Sequence, residues 1–332
     1  MKKSTKNGLR SKNHQLSAHE SIGSELLAAS STASTSHAEQ QGILNLFQSS
    51  FPKTFDDRLM GLIQTLRGHL FNRRFAEAFN NPELSDAYAV QWAASRSLAY
   101  TDMFNRLESV LGESISAGHG ETRISVVCIG GSAAELVALS HTRCFSRANV
   151  VSLSLLDGSP SIASSLKELA EQCSMRRSNI ITEINGDWDA LKLGAIDRVK
   201  EIVERGSEQV LICLMFTLNE LYDSSVKETT RMLMDLSKQL PQGSFLMVVD
   251  SPGTYSGVNL QNGDKKGAEE NRRYPMQWLL DRTLTAPKCD DTDSQWRKLV
   301  SNDSCWFRVS DGLQYPLRLE NTRYQLHLYQ HS

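Results

Sequence analysis

Apolar residues in the first third of the chain recur at helix spacing. Leu59, Leu62, Ile63, Leu66, Leu70 and Phe71 lie on one stripe, and Phe75, Ala78 and Phe79 continue it. NNPEL (Asn80–Leu84) breaks the stripe, with Pro82 well placed in a new first turn. A second helix is predicted through Ala87, Tyr88, Trp92, Leu98 and Phe104. Residues 39–111 therefore read as a helical N-terminal module whose aromatics form its core. A connector bearing glycine and serine follows, Gly112–Glu121, and the texture changes. Short runs rich in Val, Ile and Leu now alternate with helical patterns. The runs are Ile124–Ile129, Val150–Leu156, Ile180–Ile184, Val210–Phe216 and Ser244–Val249, with helices expected from near Ala133, Ile162, Asp189 and Asp223. Such alternation predicts βαβ units and a parallel sheet covered on both faces. Trp306–Val309 and Tyr324–Tyr329 read as two final strands with no long helix between them, hence antiparallel, and Asp311-Gly312 supplies turn chemistry.

Five parallel strands and a terminal antiparallel pair, over residues 122–332, match the element order of a class I S-adenosylmethionine-dependent methyltransferase. The expected fold is α/β and Rossmann-like, preceded by the helical module. A nicotinamide-binding Rossmann domain would usually carry a sixth parallel strand.

Residues 1–38 read as a disordered tail. Lys2, Lys3, Lys6, Arg10 and Lys12 cluster without an acid, and a Ser/Thr-rich stretch (Ser30–Ser36) follows. The cluster is either a solvated tail or a nuclear-targeting or RNA-touching arm. The whole chain of 332 residues has a net charge of -2, so no global field drives it onto a polyanion. Six cysteines without a CxxC pair suit neither a zinc site nor a disulfide framework, and point to a reducing compartment. No metal is expected. No run is apolar enough to span a bilayer, so no membrane is expected either.

The candidate chemistry centres on CIGGSAAE, Cys128–Glu135, at the end of the first strand. In open α/β sheets ligands bind beyond the carboxyl ends of the strands, and glycines there let the backbone approach them. Ser132 and Glu135 form an S-x-x-E capping box, which occupies amides that a pyrophosphate would need. A carboxylate in that first turn also repels phosphate. A cofactor without phosphate fits better, and S-adenosylmethionine has none, while its sulfonium is cationic. Gly130, Gly131 and Ala133 would lie against its methionine part, and Glu135 reads as a cap rather than a ligand.

Acids at the other strand ends support this. Asp157, followed by Gly158, can accept both ribose hydroxyls. Asp187 can take the adenine amino group and Trp188 can pack the ring, although Asp187 is equally suited to cap a helix from Asp189. Phe216 opens FTLNELY after the fourth run, and Asn219 and Glu220 stand where class I methyltransferases place residues facing the methyl group. Asp250 ends the fifth run.

These stretches carry a family resemblance. LFNRRFAEAF (Leu70–Phe79), AYAVQWAASRSLAY (Ala87–Tyr100), CIGGSAAE, LMFTLNELY (Leu214–Tyr222), VVDSPGTYS (Val248–Ser256) and YPLRLENTRYQ (Tyr315–Gln325) resemble the fungal large-subunit (25S) ribosomal RNA uridine-N3-methyltransferases. The resemblance runs from about Gln40 to the C-terminus. It implies a class I methyltransferase fold, S-adenosylmethionine as cofactor, and methyl transfer to a uridine of ribosomal RNA in the pre-ribosomal large subunit. The nucleus or nucleolus, with the cytoplasm open, is then the expected place of action. One departure from the wider class is Ser132, where many methyltransferases have another glycine, which would narrow the methionine end.

For that chemistry Glu220 is the first candidate base and Asp250 the second, with Asn219 holding a uracil carbonyl. Glu220 could equally be a helix-start carboxylate favoured by the dipole. Tyr255 and Tyr274 are candidates to stack a flipped uridine. Lys265, Lys266, Arg272 and Arg273 beside them, and Arg67, Arg73 and Arg74 on the helical module, could meet phosphates or be solvated surface. Arg323 would shape the pocket rim or pin the final strand. Three other functions compete: a nicotinamide-dependent oxidoreductase, opposed by the capped helix; a non-catalytic ribosome-assembly factor of the same fold; and a methyltransferase acting on protein or a small molecule.

Overall fold

The computed structural model describes residues 34–116, 122–145, 149–176, 181–253, 255–259, 271–285 and 295–332. The chain is built from α1 (His37–Ser50), α2 (Leu59–Phe71), α3 (Phe75–Phe79), α4 (Pro82–Tyr88), a π-helical turn (Ala89–Ala93), α5 (Ala94–Arg106) and α6 (Glu108–Ser116). Then follow β1 (Arg123–Ile129), α7 (Ala133–His141), β2 (Asn149–Leu156), α8 (Pro160–Ser165), α9 (Lys167–Arg176), β3 (Ile181–Asn185), α10 (Asp197–Glu204) and β4 (Gln209–Met215). The last part holds α11 (Leu218–Ser224), α12 (Val226–Gln239), β5 (Phe245–Asp250), β6 (Tyr255–Asn259), β7 (Asn271–Pro275), α13 (Met276–Leu284), β8 (Trp296–Phe307) and β9 (Thr322–His331).

Seven strands form one sheet in the order β3-β2-β1-β4-β5-β9-β8. β1 to β5 are parallel. β9 lies between β5 and β8 and runs antiparallel to both. The central strands are largely apolar because helices cover both faces, with Ser125 on β1 hydrogen-bonded to Ser152 on β2. Successive side chains alternate between two cores. Val126 and Cys128 face one core, with Leu211, Cys213, Phe245 and Met247. Val127 and Ile129 face the other, with Val210, Ile212, Leu246 and the buried residues of α10, α12 and α13. The first core also contains Ile43, Leu44, Phe47, Leu98 and Phe104, so the N-terminal helices share a core with the sheet.

Several local expectations shift. The helix placed from residue 39 starts at His37, capped by Ser36, so the ordered chain reaches back into the stretch read as tail. Phe71 belongs to the apolar stripe yet is 88% exposed, because α2 ends there and the chain turns away through Arg73 at φ 55°. The segment after Asp189 is a run of turns, and the helix begins at Asp197. Around Asp223 there are two helices, parted at Ser225, which caps the second by accepting the Glu228 amide. The first terminal strand is Trp296–Phe307 rather than Trp306–Val309, and residues 308–321 form a long return over the helices. Its polar centre, Ser301–Ser304, hid it from an apolar pattern search; β8 is an edge strand and needs no continuous apolar run. β6 and β7, an antiparallel ribbon beyond β5, were likewise not anticipated.

The five cysteines among the described residues, Cys128, Cys144, Cys173, Cys213 and Cys305, are buried thiols. No described helix is long and apolar enough to cross a membrane.

Trp296 is fully buried where β8 meets α12, and its indole N–H donates to Ser237 Oγ at 2.7 Å. Trp296→Ala should cost about 3–5 kcal/mol through the cavity it leaves, measured by denaturant unfolding; a cost below about 1 kcal/mol would mean that the edge strand is not anchored there.

Candidate functional site

Strand order reverses at β1, between β2 and β4, and the crevice there holds a cavity of about 360 Å³. That size suits a small molecule. Its walls come from the carboxyl ends of β1, β2, β3 and β4 and from the N-terminal helices.

The glycine pair closes the β1 end. Gly130 has φ +67°, and a Cβ on it would lie 2.6 Å from the Thr217 side chain after β4. Gly131 is equally confined, with Cys128 Cβ only 2.5 Å from an added Cβ. The two turns can touch because Gly130 has no side chain, while Gly131 lets its own turn fold back on Cys128. The Ser132–Glu135 capping box forms, with the Ser132 amide donating to Glu135 Oε2 at 2.8 Å. Glu135 is only 4% exposed but also stands on the cavity wall. Burial pushes its carboxyl up to about 7, against the opposing pull of the Ser132 and Glu135 amides and of Arg96. Cap and cavity wall are therefore the same side chain.

At the end of β2, Asp157 lines the cavity beside Gly158, and its Oδ1 accepts the Ser159 amide at 2.8 Å. Burial pushes its pKa up to about 6. Beyond β3, Asp187 is exposed at the mouth, and its amide donates to Asn185 Oδ1 at 3.1 Å. Asp187 is not a cap for a helix at Asp189, because none begins there. Trp188 is buried against the cavity, and its indole N–H donates to Ala195 O at 2.9 Å.

After β4 the backbone is strained. Phe216 has φ 61°, a region costly for an aromatic residue, and its amide donates to Val249 O at 2.7 Å. Phe216 and Glu220 both line the cavity. Burial pushes the Glu220 carboxyl up to about 7; Arg96 draws it down, and Asp250 and Asp157 push it further up. Asp250 and Asn219 are not on the wall. The Asp250 carboxylate accepts the amides of Asn219 at 3.0 Å and Ser251 at 2.7 Å. Burial pushes it up to about 6. With both oxygens engaged by backbone, Asp250 fixes the start of α11 and so the placement of Glu220.

Other expected residues lie elsewhere. Ala133 is buried in α7 behind its wall-forming neighbours Ser132 and Ala134. Arg73 pairs with Asp223 at the end of α11, and Arg74 with Glu77 at 3.0 Å. Tyr274 stacks on Trp278, with centroids 4.6 Å apart. The side chains of Tyr255, Arg272 and Arg273, and all of Lys265 and Lys266, lie outside the described residues. Arg323 sits on β9 against Trp306.

The helical region also lines the cavity with Phe79 and Tyr88, which periodicity marked as core, and with Arg96 and Tyr100, which it did not mark. In a regular α-helix, residues eight apart are out of register by about a fifth of a turn. The π-helical turn absorbs that offset, so Arg96 Nη1 donates to the Tyr88 hydroxyl. The Arg96 guanidinium lies 4.7 Å from the Phe216 ring centroid. Burial works against its charge, but Tyr88, Tyr100, Glu135 and Glu220 outweigh this, so its pKa rises. The signal was present in AASRSLAY, where Arg96 is the one charge in an apolar and small-residue stretch.

These groups fit S-adenosylmethionine. Arg96 and Glu135, both on the cavity wall and electrostatically coupled, complement the carboxylate and ammonium of an amino-acid zwitterion. Asp157 presents a carboxylate that can accept from ribose hydroxyls, and Trp188 gives the adenine an apolar wall. Buried acids with raised pKa values favour a cationic ligand. Among the described residues no group of three or more His, Cys, Asp or Glu could hold a metal ion.

Strand order and cavity together define a class I S-adenosylmethionine-dependent methyltransferase. The chain belongs to the family described as "Putative SAM-dependent methyltransferase", whose model matches residues 47–330. It is 29% identical over 328 residues to the 25S rRNA (uridine(2843)-N(3))-methyltransferase of Saccharomyces cerevisiae, covering 87% of this chain and 85% of that one. Solved structures include an O-methyltransferase family protein from Burkholderia thailandensis, 12% identical, covering 83% of this chain and 70% of that one, with a TM-score of 0.35. An O-methyltransferase family 2 protein from Planctomyces limnophilus in complex with apigenin is 15% identical, covering 96% and 94%, with a TM-score of 0.31. Strand order and the family match define the fold without these distant likenesses.

The raised carboxyls make a pH prediction. Between about 4.5 and about 7 the folded protein holds protons on Glu135 that the unfolded chain has lost, so this group's contribution to stability falls as pH rises through that window. His327, whose pKa burial lowers to about 4, acts in the opposite direction below about 6.5. Comparing wild type with Glu135→Gln isolates the carboxyl. The stability of the variant relative to wild type should rise from pH 4.5 to pH 7, by up to about 3 kcal/mol; denaturant unfolding across that range checks it, and a constant difference would refute the raised pKa.

Proposed function

We propose that this methyltransferase acts on N3 of a uridine in large-subunit ribosomal RNA, in the nucleus on the pre-ribosomal large subunit. The yeast relative's name supports the substrate. The observation that carries the chemistry is Glu220 on the cavity wall, its carboxyl raised to about 7 by burial. Uridine N3 holds a proton and is a poor nucleophile until it loses it. A base whose pKa lies near working pH suits that step. When bound, S-adenosylmethionine supplies an electrophilic methyl group. Glu220 would take the N3 proton and leave the nitrogen lone pair free to attack that methyl group.

Arg96, over the Phe216 ring, draws the Glu220 carboxyl down against burial and so keeps its pKa near working pH. Asn219 donates its amide to Asp250, which orients the turn that carries Glu220. N3 lies on the pairing edge of the base, so the target uridine must be unpaired or flipped out. Phe79, Tyr88 and Phe216 offer aromatic walls for it. Arg73 and Arg74, at the turn between α2 and α3, meet flanking phosphates by exchanging their present carboxylate partners. The basic cluster Lys2–Lys12 supports nuclear delivery or RNA contact.

Mass mapping of ribosomal RNA nucleosides from cells lacking the protein should show one 3-methyluridine lost; a full set of methylated nucleosides overturns the reading. With purified enzyme, kcat should rise with pH through an inflection near 7. Glu220→Gln should lower kcat by about 10²–10⁴-fold and flatten the profile while S-adenosylmethionine still binds. Full turnover in that variant removes Glu220 as the base.

A further inference from the structure

The sheet carries an aromatic surface outside the cavity. Trp306, near the end of β8, is 52% exposed. Cys305 and Phe307 on either side are buried in the first core, so strand alternation turns the indole to the opposite face. Arg323 stands directly across from it on β9, with its guanidinium 5.8 Å from the ring centroid. Arg308, two residues further along the chain, places its guanidinium at 5.2 Å. Both arginines are exposed, and among the described residues neither has an ion-pair partner. Among the described residues, Arg323 Nε alone has a hydrogen-bond acceptor, Ser304 Oγ at 3.2 Å.

Two cations without carboxylates around one half-exposed indole repel each other and leave apolar ring surface in water. An anionic, planar ligand relieves both costs. Single-stranded nucleic acid offers that combination, with bases that stack on aromatics and phosphates that pair with guanidinium groups. The location suits the same substrate. The pairing Trp306–Arg323, and then Gln325–Asp250 on β5, puts the platform on the sheet edge where the cavity opens. From β8 to β4 is three strand spacings, about 14 Å. The chain leaving the platform runs back to Glu320, whose amide donates to Ser95 Oγ, next to the cavity residue Arg96.

We propose that Trp306, Arg308 and Arg323 form a docking platform for an unpaired RNA segment flanking the target uridine. A base takes the place of one guanidinium on the indole, and the displaced arginine turns to a phosphate. This rests on the RNA reading above, and its test separates the two.

The probe is fluorescent oligouridylate, titrated with the full chain at several salt concentrations. Trp306→Ala should weaken binding by about 5- to 100-fold, and Trp306→Phe by less. Arg308→Gln with Arg323→Gln should lower the slope of log affinity against log salt by about 1.4. S-adenosylmethionine affinity and thermal midpoint should stay at wild-type values, and in methylation assays KM for RNA should rise while kcat is kept. Should Trp306→Ala fail to fold, the arginine pair decides. Unchanged affinity and salt slope in the variants, with a wild type that binds, overturn the platform alone. A wild type that binds neither oligouridylate nor ribosomal RNA overturns the RNA reading and the platform together.

Discussion

The close approach of two turns organises this molecule. Gly130 after β1 and Thr217 after β4 are packed so tightly that no side chain fits between them. The contact sits where strand order reverses, which is where an open α/β sheet parts into a crevice. It fixes the depth of the cavity at the β1 end and puts the strained Phe216 on its wall. Asp250 secures the other side of the same turn by accepting two backbone amides. The position of Glu220 follows from both.

The second organising feature is buried charge. Glu135, Asp157 and Glu220 face one space, and burial raises the pKa of each. Arg96 is the cation set among them, held by Tyr88 and Phe216. An arrangement of acids that resist ionisation beside one guanidinium is poor for stability. It is well matched to a ligand carrying its own cation and zwitterion. Glu135 shows how economical the arrangement is, since one carboxylate caps α7, lines the cavity and balances Arg96.

Much of the fold was legible from the chain. The parallel strands stand out because strands covered on both faces carry near-continuous runs of Val, Ile and Leu. β8 did not stand out, because an edge strand with Asn302, Asp303 and Ser304 in its middle lacks that mark. Phe71 was misplaced for a related reason: periodicity reports a stripe, not where a helix stops. Within the site, Gly130, Asp157, Gly158, Asp187, Trp188, Phe216 and Glu220 stand on the cavity wall, each named from its place at a strand end. Asp250 and Asn219 occupy equivalent sequence positions but serve the backbone.

The chain alone specified the alternation of the five parallel strands with helices, the glycine turn, the capping box and the row of acids at strand ends. These are local properties, set by periodicity, backbone freedom and short-range hydrogen bonds. Tertiary structure alone decided which of those acids faces a ligand and which caps a turn. It alone brought Tyr88, Arg96 and Tyr100 from the N-terminal helices to the same cavity, through a π-helical turn and a shared core. Charge burial and pKa depend on what lies across the gap, and residues across a gap are distant in the chain.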